Sequence, residues 1–373
     1  MEFYVGIMSG TSMDGIDAIL VGFLDNTFEI IQHHSQPFPP DLKQDLCDLI
    51  SFYQVSLSKL GEIDHRLGLC YADSVKNLVA KTVIKLGDIK AIGCHGQTIF
   101  HSPETKYPFT MQIGDGNLIA ALTGIPTVTD FRRMDMAFNG GGAPLAPAFH
   151  FTFFNNNEEK RGILNLGGIA NITLLGSSAE DTYGFDTGPA NCLLDLNIQK
   201  HKGLAFDKNG DWARSGKIIP SFLQAMLEAP YFNQSIPKST GRELFNMMWI
   251  EKHLAAYSDC EPVDIQATLL ELTAISITDA VKKSGPDLQA VYACGGGAYN
   301  TFLLERLSHH LPEIKISTTT DLGLSPQQVE SAAFAWLARQ RINKLPGNLT
   351  SVTGAKCQTI LGALYEPDSF SSR

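Results

Sequence analysis

The sequence lacks what membrane-spanning, secreted and nucleic-acid-binding proteins need. No stretch approaches the roughly 20 apolar residues that cross a bilayer, and the amino terminus lacks the basic region and long apolar segment of a signal peptide. The net charge of −10 is the opposite of the basic excess that nucleic acids and anionic membranes select. The seven cysteines are odd in number and include no C-x-x-C pair. We therefore expect a cytoplasmic protein with reduced thiols, no nucleic-acid partner and no membrane.

Motifs of several common enzyme classes are also absent. The chain contains no G-x-x-x-x-G-K-[ST] phosphate loop, no G-x-S-x-G and no H-E-x-x-H. His95 and His101 have no third ligand at a suitable local spacing, so the metal ligands stay unknown. A length of 373 residues, 44% of them hydrophobic and 18% charged, is typical of a globular protein of about two domains.

Two segments share a pattern of strand, glycine-rich turn, strand and strand. Gly10 to Gly15 forms the first turn and Gly167-Gly168 the second. The predicted strands are residues 3–8, 16–23 and 27–32 in the first segment and residues 161–166, 169–175 and 182–185 in the second. Such a turn can direct several backbone N–H groups at one oxyanion, which allows a chain of negative net charge to hold phosphate. The alternative is an ordinary hairpin loop.

Asp186 is the candidate catalytic residue. Residues 182–185 read as a strand, and Pro189 suits the first turn of a following helix. Asp186 would then lie at the carboxyl end of a strand, where ligands gather in α/β sheets. The alternative is that Asp186 only caps a helix or sets a turn.

Polar groups follow other predicted strands. His95 to Thr98 comes after a short buried strand, and Arg132 follows another near the expected domain junction. Arg132 or Arg133 can pair bidentately with a ligand carboxylate or phosphate. An inter-domain salt bridge of these arginines to Asp130 or Asp135 is the alternative. Residues 197–263 show no clear pattern and are expected to be an insertion.

Two further motifs lie toward the carboxyl end. Gly295 to Gly297 stands between a strand and a helix, where glycine permits close approach of a ligand. Ser325 and Gln328 predict a capping box with Pro326 at the first helical position. Glu330 then lies near the helix start, where it either complements the helix dipole or belongs to an active cleft.

Together the motifs resemble those of the anhydro-N-acetylmuramic acid kinase family, within the acetate and sugar kinase, Hsp70 and actin superfamily. The resemblance runs nearly end to end. The motifs that carry it are Met8-Ser9-Gly10-Thr11-Ser12-Met13-Asp14-Gly15-Ile16-Asp17, Gly93-Cys94-His95-Gly96-Gln97-Thr98, Asp130-Phe131-Arg132, Leu164-Asn165-Leu166-Gly167-Gly168-Ile169-Ala170-Asn171, Gly184 to Pro189, and Glu330-Ser331-Ala332-Ala333-Phe334-Ala335.

The resemblance implies an α/β protein with two RNase H-like (actin-like ATPase) domains around an ATP cleft. Residues 1–130 would carry the first phosphate loop, and residues 131–373 the second loop, the catalytic Asp and the adenosine loop, with a C-terminal helix able to pack back on the first domain. The implied cofactors are ATP and Mg²⁺. The implied cofactor-binding residues are Gly10, Thr11, Ser12, Met13, Asp14, Gly15, Ile16, Asp17, Gly167, Gly168, Asn171, Gly295, Gly296 and Gly297.

The resemblance also implies a reaction on a small amino sugar. The family opens the 1,6-anhydro bridge of anhydro-N-acetylmuramic acid with water and transfers the ATP γ-phosphoryl group to O6, in peptidoglycan recycling. Asp186 matches the base, because a carboxylate with an ordinary pKa near 4 is ionised at neutral pH and accepts a proton from the attacking water. Thr98, Arg132 and Glu330 match residues that hold the sugar.

The sequence departs from the family pattern at two places. Ala190 and the run Asn139-Gly140-Gly141-Gly142 stand where the family has glycine and Gly-Gly-Gln-Gly. Ala190 matters if that position requires positive φ. Two alternatives stay open: a kinase of the same fold for another sugar or hydroxy acid, and a nucleotide-switched binding protein. The oligomeric state is also open, with a homodimer as one option.

Overall fold

The computed structural model describes residues 1–10, 13, 15–52, 54–241, 243–255, 257, 259–285 and 287–367. The strands are β1 (Glu2–Met8), β2 (Ile16–Leu24), β3 (Thr27–Gln36), β4 (Ile89–Cys94), β5 (Gln97–Ser102), β6 (Phe109–Ile113), β7 (Thr127–Thr129), β8 (Arg161–Leu166), β9 (Ile169–Leu174), β10 (Tyr183–Pro189), β11 (Ala290–Cys294), β12 (Lys315–Thr318) and β13 (Ala363–Tyr365).

The α-helices are α1 (Pro40–Phe52), α2 (Leu57–Val79), α3 (Gly116–Thr123), α4 (Arg133–Ala137), α5 (Ala146–Phe154), α6 (Asn191–Lys202), α7 (Asp211–Ser215), α8 (Pro220–Leu227), α9 (Met247–Leu254), α10 (Pro262–Ser284), α11 (Thr301–His310), α12 (Val329–Ile342) and α13 (Thr350–Thr353). Within the described ranges, no helix combines the length and the apolar character needed to span a membrane.

The chain divides into two compact units. Unit 1 contains Met1–Phe153 and the described residues from Glu330 onward, and unit 2 contains Phe154–Val329. This division differs from the predicted ranges 1–130 and 131–373. Helix α5 belongs to unit 1 because its rings pack on the sheet there: Phe153 and Phe149 lie 4.9 Å and 5.8 Å from Phe28 of β3, measured between ring centroids.

Unit 1 is built on a six-stranded sheet in the order β13-β7-β4-β1-β2-β3. Strands β1, β2 and β3 form an antiparallel meander, and β4 runs parallel to β1. Strand β7 is parallel to β4, and β13 is antiparallel to β7. The apolar run of β1 faces helix α2, so that Val5 and Ile7 share a core with Leu67 and Tyr71.

Helix α12 approaches this sheet at two adjacent glycines. Gly6 of β1 and Gly93 of β4 are partners in the parallel register. A Cβ atom at Gly6 would overlap the carbonyl oxygen of Ser331, and a Cβ atom at Gly93 would overlap that of Phe334. Only glycine leaves room for helix backbone at this distance from a strand.

Unit 2 repeats the same strand arrangement. Its sheet has the order β10-β9-β8-β11-β12, which corresponds to β3-β2-β1-β4-β7 of unit 1. The first three strands are antiparallel, and β11 is parallel to both β8 and β12. An antiparallel meander followed by parallel strands in this order is the RNase H-like arrangement. The predicted fold class, two RNase H-like units, is confirmed.

A buried ion pair joins two helices of unit 2. Glu271 of α10 is 4% exposed. It accepts hydrogen bonds from Arg306 of α11, at 2.8 Å from Nε and 2.7 Å from Nη2. His310 Nε2 lies 2.7 Å from the same carboxylate. Burial on its own raises the pKa of Glu271, but the hydrogen bonds from Arg306 and His310 outweigh burial and hold the pKa below its ordinary value.

Replacing Arg306 with Met should destabilise the protein by about 3 kcal/mol at pH 7, because a buried carboxylate loses its partner. The stability that Glu271 contributes is present above the pKa of an unfolded Glu, about 4.3, and is lost as pH falls through the lower folded pKa. The difference between wild type and variant should therefore shrink below about pH 4. Urea unfolding at pH 7 and at about pH 3, below the unfolded pKa, measures this difference.

The matched control is Arg214→Met. Arg214 also pairs with a glutamate of α11, Glu305, but both side chains are exposed, by 42% and 56%. Exposed pairs contribute less than about 1 kcal/mol. Equal destabilisation by the two substitutions would contradict the special role of the buried pair.

Candidate active site

Asp186 lies inside a strand, not past its end. The predicted end of the strand at residue 185 was wrong: β10 continues to Pro189, and α6 begins at Asn191. Pro189 is tolerated because β10 is the edge strand of its sheet, where a residue need not donate to a second neighbour. The pairing with β9 shifts between Asp186 and Gly188. Asp186 therefore lies at a β-bulge, a feature that redirects side chains near active sites.

Three polar side chains form a row across the sheet of unit 2. Asn165 of β8 is opposite Asn171 of β9, and Asn171 is opposite Asp186 of β10. Residues directly opposite in antiparallel strands share a face and have Cβ atoms about 5 Å apart. Asn165 and Asn171 flank the Gly167-Gly168 turn. The fold thus brings the second predicted phosphate loop next to the predicted base.

The carboxylate of Asp186 is held through one oxygen. Oδ2 accepts hydrogen bonds from Ser239 Oγ and from the backbone N–H of Thr240, both at 3.0 Å. Burial raises the pKa of Asp186 above its ordinary value, the hydrogen bonds from Thr240 and Ser239 oppose this, and the charge of Glu243 raises the pKa further. A carboxylate with a raised pKa is a stronger base that is still suited to work near neutral pH.

The Gly167-Gly168 turn is tied to the start of α6. The backbone N–H groups of Ala190 and Cys192 donate to the Gly168 carbonyl, and that of Asn191 donates to the Gly167 carbonyl. These N–H groups are therefore not available to an anion. Ala190 has φ −114°, outside the left-handed region. The position therefore does not require the positive φ that would favour glycine over this alanine.

The predicted adenosine loop lies against the same turn. Gly295 has φ +78°, and a Cβ atom there would overlap Asn165 Oδ1. A Cβ atom on Gly297 would lie 2.7 Å from Leu166 Cβ. Gly296 has open space around it. Both predicted nucleotide loops of unit 2 are thus adjacent, at the edge that carries the polar row.

The first glycine turn is described only in part. Thr11, Ser12 and Asp14 lie outside the described residues, and the rest of the predicted set is Gly10, Met13, Gly15, Ile16 and Asp17. Met13 adopts φ +55° and donates to the Gly10 carbonyl at 3.1 Å. Gln97 Nε2 donates to the same carbonyl at 3.4 Å, which ties the turn to the start of β5.

The last two residues of this set have other roles within unit 1. The Ile16 side chain is fully buried in the core, so only its backbone can face a ligand. The Asp17 carboxylate accepts a hydrogen bond from Ser35, and His33 Nε2 lies 3.4 Å from it. Asp17 is thereby engaged with strand β3.

Arg132 is fixed by a histidine and a backbone carbonyl. Its Nε and Nη2 lie 3.1 Å and 2.7 Å from His95 Nε2, and Nη1 donates to the Gly142 carbonyl at 2.8 Å. His95 must accept through Nε2 and is neutral, since burial and the charge of Arg132 hold its pKa well below the ordinary value. Burial lowers the pKa of Arg132 to about 10, against the opposing charges of Glu330 and Asp135.

Two of the Arg132 guanidinium N–H groups have no partner among the described residues. A guanidinium has five N–H groups, and the contacts to His95 and Gly142 use three of them. The remaining pair, one each on Nη1 and Nη2, matches the two oxygens of a carboxylate. The alternative salt bridge forms for Arg133, which pairs with Asp130 at 2.8 Å within unit 1. It does not form for Arg132, and Asp135 accepts from Gly142, Asn348 and Thr353.

Thr98 and Glu330 belong to the same unit as Arg132. The half-buried Thr98 hydroxyl accepts a hydrogen bond from Gln112 Nε2 at 3.1 Å. Glu330 lies in the first turn of α12, and its negative charge raises the pKa of Arg132. The predicted helix start is confirmed: Ser325 is the N-cap and Pro326 the first residue of a 3₁₀ turn, Pro326–Gln328, that leads into α12. The side-chain part of the predicted capping box was wrong, because the Ser325 hydroxyl contacts Tyr299 Oη at 3.1 Å and makes no capping hydrogen bond.

The second departure from the family pattern also fits locally. Asn139 adopts φ +67°, which favours glycine and which Asn tolerates best among other residues. Gly141 has room for a Cβ atom, since the nearest atom would be the Ala143 oxygen at 3.5 Å. The exchange of residue types therefore preserves the turn that presents the Gly142 carbonyl to Arg132.

Sequence reasoning missed the residues that hold Asp186 and Arg132. Ser239, Thr240 and Tyr231 lie in the segment that showed no pattern, about 50 positions after Asp186, and Tyr231 Oη donates to the Asp186 carbonyl at 2.7 Å. Their only signal was the polar run Lys238-Ser239-Thr240 inside a long insertion. The contact of His95 with Arg132 had no local signal.

Two RNase H-like units, with glycine turns after their first strands and a bulged strand that carries a half-buried carboxylate, define a phosphotransferase of the actin-like ATPase class. A sequence model described as anhydro-N-acetylmuramic acid kinase matches residues 2–367. The chain belongs to the anhydro-N-acetylmuramic acid kinase family.

Two relatives from the same family agree with this membership. The anhydro-N-acetylmuramic acid kinase of Pasteurella multocida is 50% identical over 364 residues, which are 97% of this chain and 96% of the relative. That of Aliivibrio fischeri is 49% identical over 367 residues, 98% of this chain and 99% of the relative. A solved structure, the activator of the 2-hydroxyisocaproyl-CoA dehydratase from Clostridium difficile with bound ADPNP, has a TM-score of 0.47 at 14% identity and covers 92% of this chain and 96% of its own.

Proposed function

We propose that the protein is an ATP-dependent kinase that hydrolytically opens the 1,6-anhydro ring of 1,6-anhydro-N-acetylmuramic acid and phosphorylates O6. The products are N-acetylmuramic acid 6-phosphate and ADP, in peptidoglycan recycling in the cytoplasm. Family membership over residues 2–367 supports the substrate. The observation that carries the chemistry is the position of Asp186 directly across from Asn171, beside the glycine turn of unit 2.

Asp186 is the general base. It accepts a proton from the water whose oxygen attacks C1 of the sugar, and the bond between C1 and O6 breaks as the new C1–O bond forms. O6 keeps the electron pair of the broken bond and attacks the γ-phosphorus of ATP, and ADP leaves. One proton acceptor thus begins both bond changes. The raised pKa of Asp186, caused first by burial, keeps the carboxylate basic enough for this step.

The glycine turns bind the phosphates. Gly167 and Gly168 lie beside Asp186, and Gly295 to Gly297 lie against that turn, so the nucleotide binds unit 2 along this edge. Mg²⁺ bound with ATP would supply positive charge that neutralises the phosphoryl oxygens. The turn around Gly10 is the second proposed phosphate-binding turn, and it belongs to unit 1.

Arg132 binds the lactyl carboxylate of the sugar. The support is the pair of guanidinium N–H groups that His95 and Gly142 leave over, in a half-buried site where a charge-assisted pair is strong. Thr98 and Glu330 bind sugar hydroxyl and amide groups. Arg132 also distinguishes muramic acid derivatives from sugars that lack the lactyl group.

The test of the proposed function is ADP release with Mg·ATP and three sugars: 1,6-anhydro-N-acetylmuramic acid, N-acetylmuramic acid and N-acetylglucosamine. Turnover should be confined to the anhydro sugar. In ¹⁸O-labelled water, the 6-phosphate product should carry one labelled oxygen at C1. Turnover of another sugar would contradict the substrate, and ATP binding without any turnover would favour the nucleotide-switched binding protein.

Replacing Arg132 with Gln should raise the KM for the anhydro sugar about 30- to 100-fold, because a bidentate charge-assisted pair is lost. The KM for ATP should stay near its wild-type value. Steady-state kinetics with each substrate varied in turn measures both constants.

Arg133→Gln is the matched control for Arg132→Gln. Arg133 is the next residue in the chain, is 67% exposed and pairs with Asp130. Its loss should leave both KM values within about twofold. A rise in the KM for the sugar with Arg133→Gln, and none with Arg132→Gln, would show that the wrong arginine has been assigned.

A further inference from the structure

We propose that Ser239 is a positioning residue for the Asp186 base: its hydroxyl holds Oδ2 and leaves Oδ1 as the oxygen that accepts the proton. The inference deepens the proposed function, on which it rests, by assigning a role in catalysis to a segment that precedes α9 and lies more than 50 positions after the base.

The carboxylate is held asymmetrically. Ser239 Oγ and the Thr240 backbone N–H both donate to Oδ2, at 3.0 Å each. Within the described ranges, no donor lies within hydrogen-bond distance of Oδ1. Two charge-assisted hydrogen bonds on one oxygen stabilise its negative charge and fix the plane of the carboxylate. The other oxygen is then the one oriented toward the proton that the base removes.

The same segment also holds the backbone of Asp186. The N–H of Asp186 donates to the Lys238 carbonyl at 3.0 Å, and Tyr231 Oη donates to the Asp186 carbonyl at 2.7 Å. Lys238 Nζ in turn donates to the Tyr231 carbonyl at 2.9 Å. Residues 231–240 therefore enclose the bulge from its open side, where β10 has no neighbouring strand.

Among the described residues, Glu243, Tyr231 and Lys238 are titratable groups near the Asp186 carboxylate or its backbone. Glu243 raises the pKa of Asp186, and the phenol of Tyr231 faces the backbone of Asp186. Lys238 places its ammonium over the Tyr231 ring, 4.3 Å from the centroid, and burial lowers its pKa. Ser239 is exposed and uncharged, so its removal changes the hydrogen bonding of Asp186 without changing the charges around it.

Ser239→Ala is the decisive substitution. We expect kcat to fall about 10-fold or more, because a hydrogen bond to a charged group is lost. The acid limb of the kcat–pH profile should move to higher pH by about 1, since removing a donor from a carboxylate raises its pKa. Ser239→Thr keeps the hydroxyl and should restore most of kcat and the wild-type profile. The melting temperature should stay within a few degrees, because the side chain is exposed.

A direct titration separates this inference from the proposed function. The carboxyl ¹³C resonance of Asp186, assigned by its loss in Asp186→Asn, is followed from pH 3 to pH 9 in the full chain without substrate. A higher midpoint in Ser239→Ala than in wild type supports the inference whatever sugar the enzyme uses. An unchanged midpoint, or a loss of kcat with an unchanged pH profile, overturns it.

Ser177→Ala is the matched control. Ser177 is also an exposed serine of unit 2 whose hydroxyl donates to an aspartate, at 2.9 Å from Asp181 Oδ2. Asp181 has no place in the proposed chemistry. The kcat, the pH profile and the Asp186 midpoint should all match wild type in this variant. A decrease of kcat equal to that of Ser239→Ala would overturn the assignment to Ser239.

Discussion

The Asp186→Asn variant should turn over the anhydro sugar about 10³-fold more slowly than wild type, or not detectably. An amide of the same shape accepts a hydrogen bond from Ser239 but cannot take a proton from water, and general base catalysis by a positioned side chain contributes about 10² to 10⁴ in rate. The single base begins both bond changes in the proposed mechanism, so no second group replaces it. ADP release under saturating substrates measures the loss.

The fold should survive this substitution. Burial raises the pKa of Asp186 in the folded state above its unfolded value. Stability from this group is therefore present below the unfolded pKa and is lost as pH rises through the folded pKa. The uncharged amide has no ionised form to destabilise the folded state at pH 7. The free energy of unfolding of the variant should therefore be at least as large as that of wild type. ATP binding, followed by calorimetry, should stay unchanged.

Asp181→Asn controls for the removal of a negative charge. Asp181 is exposed and accepts hydrogen bonds from Ser177 and Ser178, much as Asp186 accepts from Ser239. Its replacement should leave turnover within about twofold of wild type. If Asp186→Asn keeps more than a tenth of the wild-type kcat, another group is the base.

The sequence predicts the fold better than it predicts the site. The repeated pattern of strand, glycine turn and strand yields both sheets because hydrophobic runs and turn residues are local signals. The end of β10 was missed for a physical reason: Pro189 signals a helix start in most contexts, but an edge strand also accepts it. The edge position depends on the pairing of whole strands, which no local window contains.

The hydrogen-bond partners of the candidate catalytic groups could not be predicted from local sequence either. Asp186 and Arg132 stand out in the sequence as polar residues after predicted strands. Ser239 and His95, which hold them, are ordinary residues at sequence distances of 53 and 37 positions. Hydrogen-bond partners at such distances are set by chain topology. Residue type alone therefore points to candidate reactive groups but not to their supporting contacts.

The second large effect concerns the docking of α12 on the sheet of unit 1. Gly6→Ala should destabilise the protein by at least about 3 kcal/mol, because the added methyl group overlaps the Ser331 carbonyl and the backbone has to move. Gly93→Ala, at the paired position, should have a similar effect through the Phe334 carbonyl. Trp336 reports on this contact, since it is buried in α12. With Trp212 and Trp249 replaced by Phe, its fluorescence follows unfolding of unit 1 in urea.

Gly61→Ala is the control that separates close packing from glycine content. Gly61 lies on the exposed side of α2, with no atom within 4 Å of the added Cβ, and alanine is the better helix former by about 0.5–1 kcal/mol. This substitution should leave stability unchanged or raise it slightly. Both substitutions add one methyl group within unit 1. If Gly6→Ala lowers the free energy of unfolding and Gly61→Ala does not, the close contact between α12 and the sheet is the cause. A neutral Gly6→Ala variant would show that α12 can move away from β1 at little cost, which contradicts close packing there.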